Sequence, residues 1–166
     1  STTLQRVSVF CIDNEAAVLS GMNDLLSAWK CKVYSAISAE QAIEIYQKHE
    51  EEIDIVLVDY QLVTENTANI LSSDSAFIPK QPKDSNHDIA NFNGIELIKH
   101  LRAISHYPLP AILITATTDE SVFVQAQQAD MGYLRKIVKP IALRALMSSL
   151  LTKELERNYI PDNFNL

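Results

Sequence analysis

No run of apolar residues in this chain is long enough to cross a bilayer, and no signal peptide opens it. Basic residues are in short supply too. Lys and Arg number 14 against 21 Asp and Glu, for a net charge of -7 and a pI near 5.0. Without a basic stripe, the chain lacks the electrostatic footprint of a nucleic-acid binder. Cysteine occurs twice, as Cys11 and Cys31, each in or beside an apolar stretch and without metal-ligand spacing. Both read as buried reduced thiols, which fits a cytosolic setting. His49, His87, His100 and His106 are scattered, and none sits by a cysteine or acid at metal spacing. Surface roles are expected for all four. The lone Trp29 is expected in the core, and Glu50-Glu51-Glu52 at a solvated helix end.

What remains is ordinary globular composition, 47% hydrophobic and 21% charged over 166 residues. That length suits one domain with a full core. Apolar runs are short and continuous, as strands covered on both faces are. They place strands at Val7 to Ile12, Lys32 to Ser35, Ile55 to Val58, Ala111 to Ile114 and Tyr133 to Lys136. Helical spacing fills the intervals. Val18, Leu19, Met22, Leu25, Leu26 and Trp29 share a stripe within Glu15 to Trp29. Ser38-Ala39-Glu40-Gln41 reads as a capping box for the next helix. Further helices are expected over Gly94 to Ile104, from Asp119 to about Ala129, and from Pro140 through Leu151. Five alternating β-α units imply an α/β domain, a doubly wound parallel sheet with helices on both faces.

One segment, about 63–91, breaks the rhythm. It is rich in Ser, Asn, Asp and Pro, and far exceeds the usual βα loop of about 2–6 residues. Ile70, Leu71, Phe77 and Ile78 are its candidate anchors. It reads either as a tolerated surface insertion or as a lid beside the strand end that precedes it. The domain is expected over 1–157, followed by a tail at 158–166.

Polar residues end the apolar strands: Asp13-Asn14, Asp59, Thr115 and Lys136. In an open parallel sheet the carboxyl ends of the strands line one crevice, so these groups are expected to converge on Asp59. Acids, an amide, a hydroxyl and an ammonium together suit transfer of a phosphoryl group onto a carboxylate with a divalent cation. Taken singly, each has a plainer reading: Asp59 a turn residue, Thr115 a β-branched strand residue, Lys136 a solvated edge charge, Tyr133 core packing.

The chain resembles the receiver domain of two-component response regulators, over roughly Val7 to Leu151 apart from the insertion. The resemblance is carried by Cys11-Ile12-Asp13-Asn14-Glu15, Leu57-Val58-Asp59, Asn93-Gly94-Ile95-Glu96-Leu97, Ile112-Leu113-Ile114-Thr115-Ala116 and Gly132-Tyr133-Leu134-Arg135-Lys136, in the family's order. The wording Asp13-Asn14-Glu15 and the closing Val138-Lys139-Pro140 are most like C-terminal receivers of hybrid sensor histidine kinases. The resemblance implies a flavodoxin-like strand order of 2-1-3-4-5, with the insertion between the third strand and the third helix. It implies Asp59 as the phosphoacceptor, served by a phosphohistidine on a histidine kinase or phosphotransfer domain. It implies Mg²⁺ held by Asp13, Asn14, Asp59 and the Gln61 carbonyl. Thr115 would bind a phosphoryl oxygen, Lys136 the acceptor carboxylate and then the phosphoryl group, and Tyr133 would change rotamer on activation. Output would pass through the last helix–strand–helix face, about Asp119 to Leu151, with Arg135, Lys139 and Arg144, to a protein partner or a second copy. The chain reads as a domain cut from a longer protein, with a small free-standing protein as the alternative.

Four departures stand out. Asn14 replaces the family's usual second acid. Gln61-Leu62-Val63 replaces the Met-Pro that usually follows the acceptor, and the insertion delays the helix-opening Gly94. The switch lysine is Lys136 by register but Lys139 by the Lys139-Pro140 dipeptide, and register is preferred. Ile137 then replaces the usual proline after the lysine. A cis bond there would cost about 2.5–4 kcal/mol, against about 0.5–1 for proline, so a reshaped trans loop and a cis bond both stay open. The departures keep a second class in play, a receiver shape that binds partners without transferring phosphate. An aspartyl-phosphate phosphohydrolase of the haloacid dehalogenase type would want an acid where Gln61 stands. A flavodoxin-like FMN carrier would want a Ser/Thr/Gly-rich loop in place of Asp13-Asn14-Glu15-Ala16-Ala17.

Overall fold

Continuous burial is what makes the three central apolar runs strands. The computed structural model describes residues 3–63 and 88–158. Its strands are β1 Ser8–Ile12, β2 Lys32–Ala36, β3 Ile55–Asp59, β4 Ala111–Thr115 and β5 Gly132–Arg135. Every residue of β1, β3 and β4 is buried, whereas the edge strands β2 and β5 are partly exposed. All pairings are parallel, in the order β2-β1-β3-β4-β5, as the resemblance implied.

Helices α1 Ala16–Ala28, α2 Ala39–His49, α3 Gly94–Ile104, α4 Glu120–Gln128 and α5 Pro140–Asn158 cover the sheet. Alternate residues of each strand feed two cores. One holds Phe10, Val56 and Leu113 with Tyr46, Leu97 and Leu101. The other holds Val9, Leu57 and Ile112 with Leu26, Leu143 and Met147. The sheet is thus doubly covered, and its strands could not have alternated polar with apolar residues.

Caps set the helix starts. Ser38 accepts from the Gln41 amide at 3.1 Å, but Gln41 Oε1 reaches back to the Ile37 amide at 2.8 Å, one residue short of the reciprocal bond expected from the sequence. The full capping box is at α3 instead. Asn93 Oδ1 accepts from the Glu96 amide at 2.9 Å, and Glu96 Oε1 accepts from the Asn93 amide at 3.0 Å. Its sequence signal is the N-x-x-E spacing of Asn93 and Glu96. Asp119 caps α4 through the Ser121 amide at 2.9 Å, and Pro140 is the first residue of α5.

Of the expected insertion, the described part includes a 3₁₀ turn at Ile89–Asn91 that leads into α3. The proposed anchors Ile70, Leu71, Phe77 and Ile78 lie outside the described residues. The predicted tail begins one residue early, because Asn158 still belongs to α5, and its remainder at 159–166 also lies outside the described residues. Among the described residues no helix is long and apolar enough to cross a membrane. Cys11 and Cys31 are buried and free, and burial pushes both thiols up, which keeps them protonated and unreactive. Trp29 is only partly buried, with the Arg144 guanidinium 5.2 Å from its ring centre.

Candidate functional site

Strand register brings the polar ends together. Ile12 lies opposite Val58, so the next residue of each strand, Asp13 and Asp59, ends neighbouring strands at one level. Asp59 lies opposite Ile114, just before Thr115, and Thr115 lies opposite Arg135, just before Lys136. The Lys136 amide also donates to the Thr115 carbonyl at 3.0 Å. Asp13, Asp59 and Thr115 stand at the ends of buried apolar strands, so the core residues beneath fix their positions.

The carboxylates of Asp13 and Asp59 are buried, with only 4% and 7% of each residue exposed. A single ammonium joins them. Lys136 Nζ lies 3.0 Å from Asp13 Oδ2 and 3.2 Å from Asp59 Oδ2. Asp13 Oδ1 additionally accepts from the Glu15 amide at 2.9 Å. Lys139 is exposed at the start of α5. Of the two candidate lysines, Lys136 is therefore the one that meets the acids, as the register argument expected. Sequence reasoning paired it with Asp59 alone and missed its hydrogen bond to Asp13. The Lys136–Ile137 peptide bond is cis, and Ile137 is 96% exposed.

The Asp59 carboxyl does not titrate normally. Burial raises the Asp59 carboxyl above its usual value, and the Asp13 charge raises it further. Lys136 and the Gln61 amide only partly offset this. For Lys136, burial works toward a lower value, but the Asp13 hydrogen bond and the Asp59 charge outweigh it and the ammonium is held above 10.5. Lys136 is thus fully charged at neutral pH.

A stability prediction follows from the sign. Because the folded Asp59 binds its proton more tightly than an unfolded aspartate, its ionisation works against folding at pH values above 3.8. Asp59→Asn removes that ionisation. The variant is expected to melt higher than the parent at neutral pH. The gap should shrink as pH falls through the raised pKa of Asp59 toward 3.8. Thermal denaturation of both proteins across this range checks it; a pH-independent gap would contradict the assignment.

Thr115 is 2% exposed, and its Oγ1 accepts from the Thr117 amide at 3.1 Å. Tyr133 is half-buried; its hydroxyl lies 3.5 Å from the Thr117 carbonyl, and its ring meets Phe123 edge-on at 5.2 Å. Asn14 is partly exposed and Gln61 exposed, beside Asp13 and Asp59 respectively. Gly94 was read from sequence as a helix opener, but it does more. Its amide donates to the Tyr60 carbonyl at 2.8 Å, and a Cβ on it would fall 2.2 Å from the Asp59 carbonyl oxygen. The N-terminus of α3 therefore lies directly against the backbone of Asp59.

Among the described residues no group of three or more His, Cys, Asp or Glu could hold a metal. The oxygen set of Asp13, Asn14, Asp59 and the Gln61 main chain nevertheless suits Mg²⁺, which takes one or two carboxylates and completes its shell with neutral oxygens. That Asp13 and Asp59 already share a cation, the Lys136 ammonium, is a structural sign that the pocket calls for positive charge.

No protein-family model and no curated protein sequence matches the chain. Solved structures do. A CheY-like response regulator receiver domain protein from Methanospirillum hungatei JF-1 superposes with a TM-score of 0.67 at 16% identity, over 93% of this chain and 100% of that one. The signal receiver domain of a modulated diguanylate cyclase from Desulfovibrio desulfuricans G20 gives 0.67 at 19% identity, over 93% and 100%. The CheX-CheY-BeF3-Mg complex from Borrelia burgdorferi gives 0.63 at 17% identity, over 87% and 90%. The chain therefore has the flavodoxin-like fold of receiver domains.

Proposed function

We propose that the chain is a phosphoacceptor receiver domain of a two-component relay, most like the C-terminal receiver of a hybrid histidine kinase. The observation that carries the reading is the single ammonium of Lys136 spanning the buried carboxylates of Asp13 and Asp59, at 3.0 and 3.2 Å. A strand-end carboxylate held beside a fixed cation is a nucleophile whose product charge is already provided for. A carboxylate oxygen of Asp59 attacks the phosphorus of a phosphohistidine on a kinase or phosphotransfer domain. The new P–O bond forms as the P–N bond breaks, and the electron pair leaves with the imidazole, which takes up a proton. Lys136 moves its interaction to the phosphoryl oxygens, and the Thr115 hydroxyl donates to one of them. Bound Mg²⁺, held by Asp13, Asn14, Asp59 and the Gln61 carbonyl, would neutralise further charge on the transferred group.

The output surface in this reading is the α4-β5-α5 face. There Phe123, Val124 and Tyr133 line a cavity of about 440 Å³ together with Asp119, Glu120 and Arg135, open to a protein partner or a second copy. Intact mass after treatment with acetyl phosphate and Mg²⁺ tests the acceptor. One phosphoryl group is expected on the parent and none on Asp59→Asn. An unmodified parent, or equal modification of the variant, refutes it.

Asn14 and the exposed Ile137 support a second reading, a receiver-shaped binding module that transfers no phosphate. Beryllofluoride with Mg²⁺ separates the two, since only a working acceptor pocket gives a spectral change. In the favoured reading Asn14 limits cation affinity, because it offers oxygen without charge. Asn14→Asp is expected to bind Mg²⁺ roughly tenfold more tightly, from the added ligand charge. Equal affinity in a Mg²⁺ titration would contradict this.

A further inference from the structure

Helix α5 is longer than the sheet it covers. Its 19 residues span roughly 28 Å at about 1.5 Å each, whereas a strand of five residues spans about 17 Å. Leu143 and Met147 lie over the sheet and are fully buried, but Leu155, near the far end, is 68% exposed. There α5 borders a cavity of about 420 Å³ at the amino ends of the central strands. Val7, Ile53 and Pro110, which come just before β1, β3 and β4, line it. Pro108 and Tyr107, the latter 51% exposed, complete its apolar part. The acceptor pocket lies at the carboxyl ends of the same strands, so the two sites are at opposite ends of the sheet.

The walls of this groove are fixed. On one side runs the loop from α3 to β4. Arg102 donates from Nε to the Leu109 carbonyl at 3.0 Å, and its two other nitrogens donate to the Ala129 and Asp130 carbonyls. The Tyr46 and Ser105 hydroxyls lie 2.6 Å apart, and the Glu50 carboxylate accepts from the His106 amide, with His106 Nδ1 at 2.9 Å. On the other side, the fully buried Leu4 anchors the stretch before β1, and the Arg6 amide donates to the Lys30 carbonyl at 2.9 Å. Asp54 Oδ2 accepts from the Ser8 amide at 2.8 Å. A groove that is already shaped costs a ligand little ordering.

Charge selects the occupant. Glu50, Glu51, Asp54 and Glu154 also line the groove, and among its described lining residues Arg6 is the one base. A second copy of this chain, with its net charge of -7, would add negative charge to a negative rim. We propose that the groove docks a basic amphipathic segment of a partner protein. Its aliphatic side chains enter the cavity beside Leu155 and Tyr107, and its Lys or Arg residues meet the acidic rim. Because Asp59 is at the other end of the sheet, the segment stays bound while the acceptor pocket is served. It would keep the domain at a high local concentration beside its partner in either state of the pocket. The proposal does not depend on the phosphoacceptor reading.

The probe is an end-capped synthetic peptide of leucine and lysine at helical spacing, titrated into the full chain and followed by residue-resolved NMR. Saturable shifts are expected at Arg6, Ile53, Tyr107 and Leu155 and not at Asp59 or Lys136, with or without beryllofluoride and Mg²⁺. Leu155→Ser should weaken binding about tenfold, the scale of one buried leucine. Glu51→Lys should weaken it about threefold, the scale of an exposed charge pair, and added salt should weaken it too. Both side chains are exposed, so both variants keep the fold. Peptides with glutamate in place of lysine, or serine in place of leucine, should not bind. Shifts scattered without saturation, an unchanged affinity in Leu155→Ser, or equal binding of the glutamate peptide would overturn the proposal. Self-association of the parent that Leu155→Ser abolishes would give the groove to a second copy. Binding that emerges only after removal of residues 159–166 would give it to the chain's own end. Either outcome also overturns the proposal.

Discussion

Gly94→Ala is expected to lower stability by ~3 kcal/mol, because the added methyl meets backbone that cannot step aside. In a chain of this size that is a fall in Tm of roughly 10 °C. The clash is with the Asp59 carbonyl oxygen at 2.2 Å and its carbon at 3.0 Å, with the Leu113 side chain at 3.1 Å behind. Relief requires α3 to draw back from β3, which breaks the Gly94–Tyr60 hydrogen bond and shifts the main chain of Asp59. Phosphorylation by a small phosphodonor should therefore slow along with the loss of stability. Gly21→Ala supplies the control. That glycine lies within α1 with nothing within 4 Å of a new Cβ, so the change should stabilise by about 0.5–1 kcal/mol through helix propensity. Denaturant titration of the two variants side by side reads both effects. A Gly94→Ala protein as stable as the parent would show that α3 does not rest on Asp59 in solution.

Lys136→Met should be the second large effect. It removes the only cation that meets Asp13 and Asp59 among the described residues, leaving two buried carboxylates face to face. Removing one partner of a buried pair costs about 3–5 kcal/mol, most of it the uncompensated charge that stays behind. The pocket escapes part of this by protonating Asp59, whose carboxyl burial and the Asp13 charge already raise. The sign of the pH dependence follows. With its folded pKa higher still, Asp59 in the variant binds a proton that the unfolded chain releases near 3.8. The deficit relative to the parent is therefore largest at neutral pH and narrows as pH falls toward 3.8. Urea titrations at neutral and mildly acidic pH measure this, and a deficit that widens on acidification would show that Lys136 stabilises the fold by some other route. A divalent cation should restore part of the loss at neutral pH, since it supplies the charge that the methionine lacks.

The three central strands were legible because each is buried on both faces and so reads as a nearly unbroken apolar run, from Val9 to Ile12 or Ala111 to Ile114. The placement of Asp13, Asp59, Thr115 and Lys136 at one end of the sheet was legible for a related reason. Parallel order puts all carboxyl ends together, so four strand-end residues suffice to locate a pocket. Lys136 was separable from Lys139 because strand spacing is fixed, whereas a dipeptide carries no depth. Contacts between elements were not legible. Nothing in the sequence around Arg102 tells that its guanidinium crosses to Ala129 and Asp130, and the identity of Gly94 does not disclose how near Asp59 comes. Those facts depend on the separation of packed helices and strands, which only the assembled core determines. The sharing of Lys136 between two acids was hidden in the same way, because register gives neighbours but not which oxygen a flexible ammonium selects.

The bond from the Gly94 amide to the Tyr60 carbonyl joins the two ends of the excursion between those residues. Ile89 and Phe92, packed against the core just before α3, brace the returning side. The contact fastens the excursion at its base, beside the strand that carries the acceptor. Length at this point is then nearly free to drift. Each doubling adds only about 0.6 kcal/mol of closure entropy.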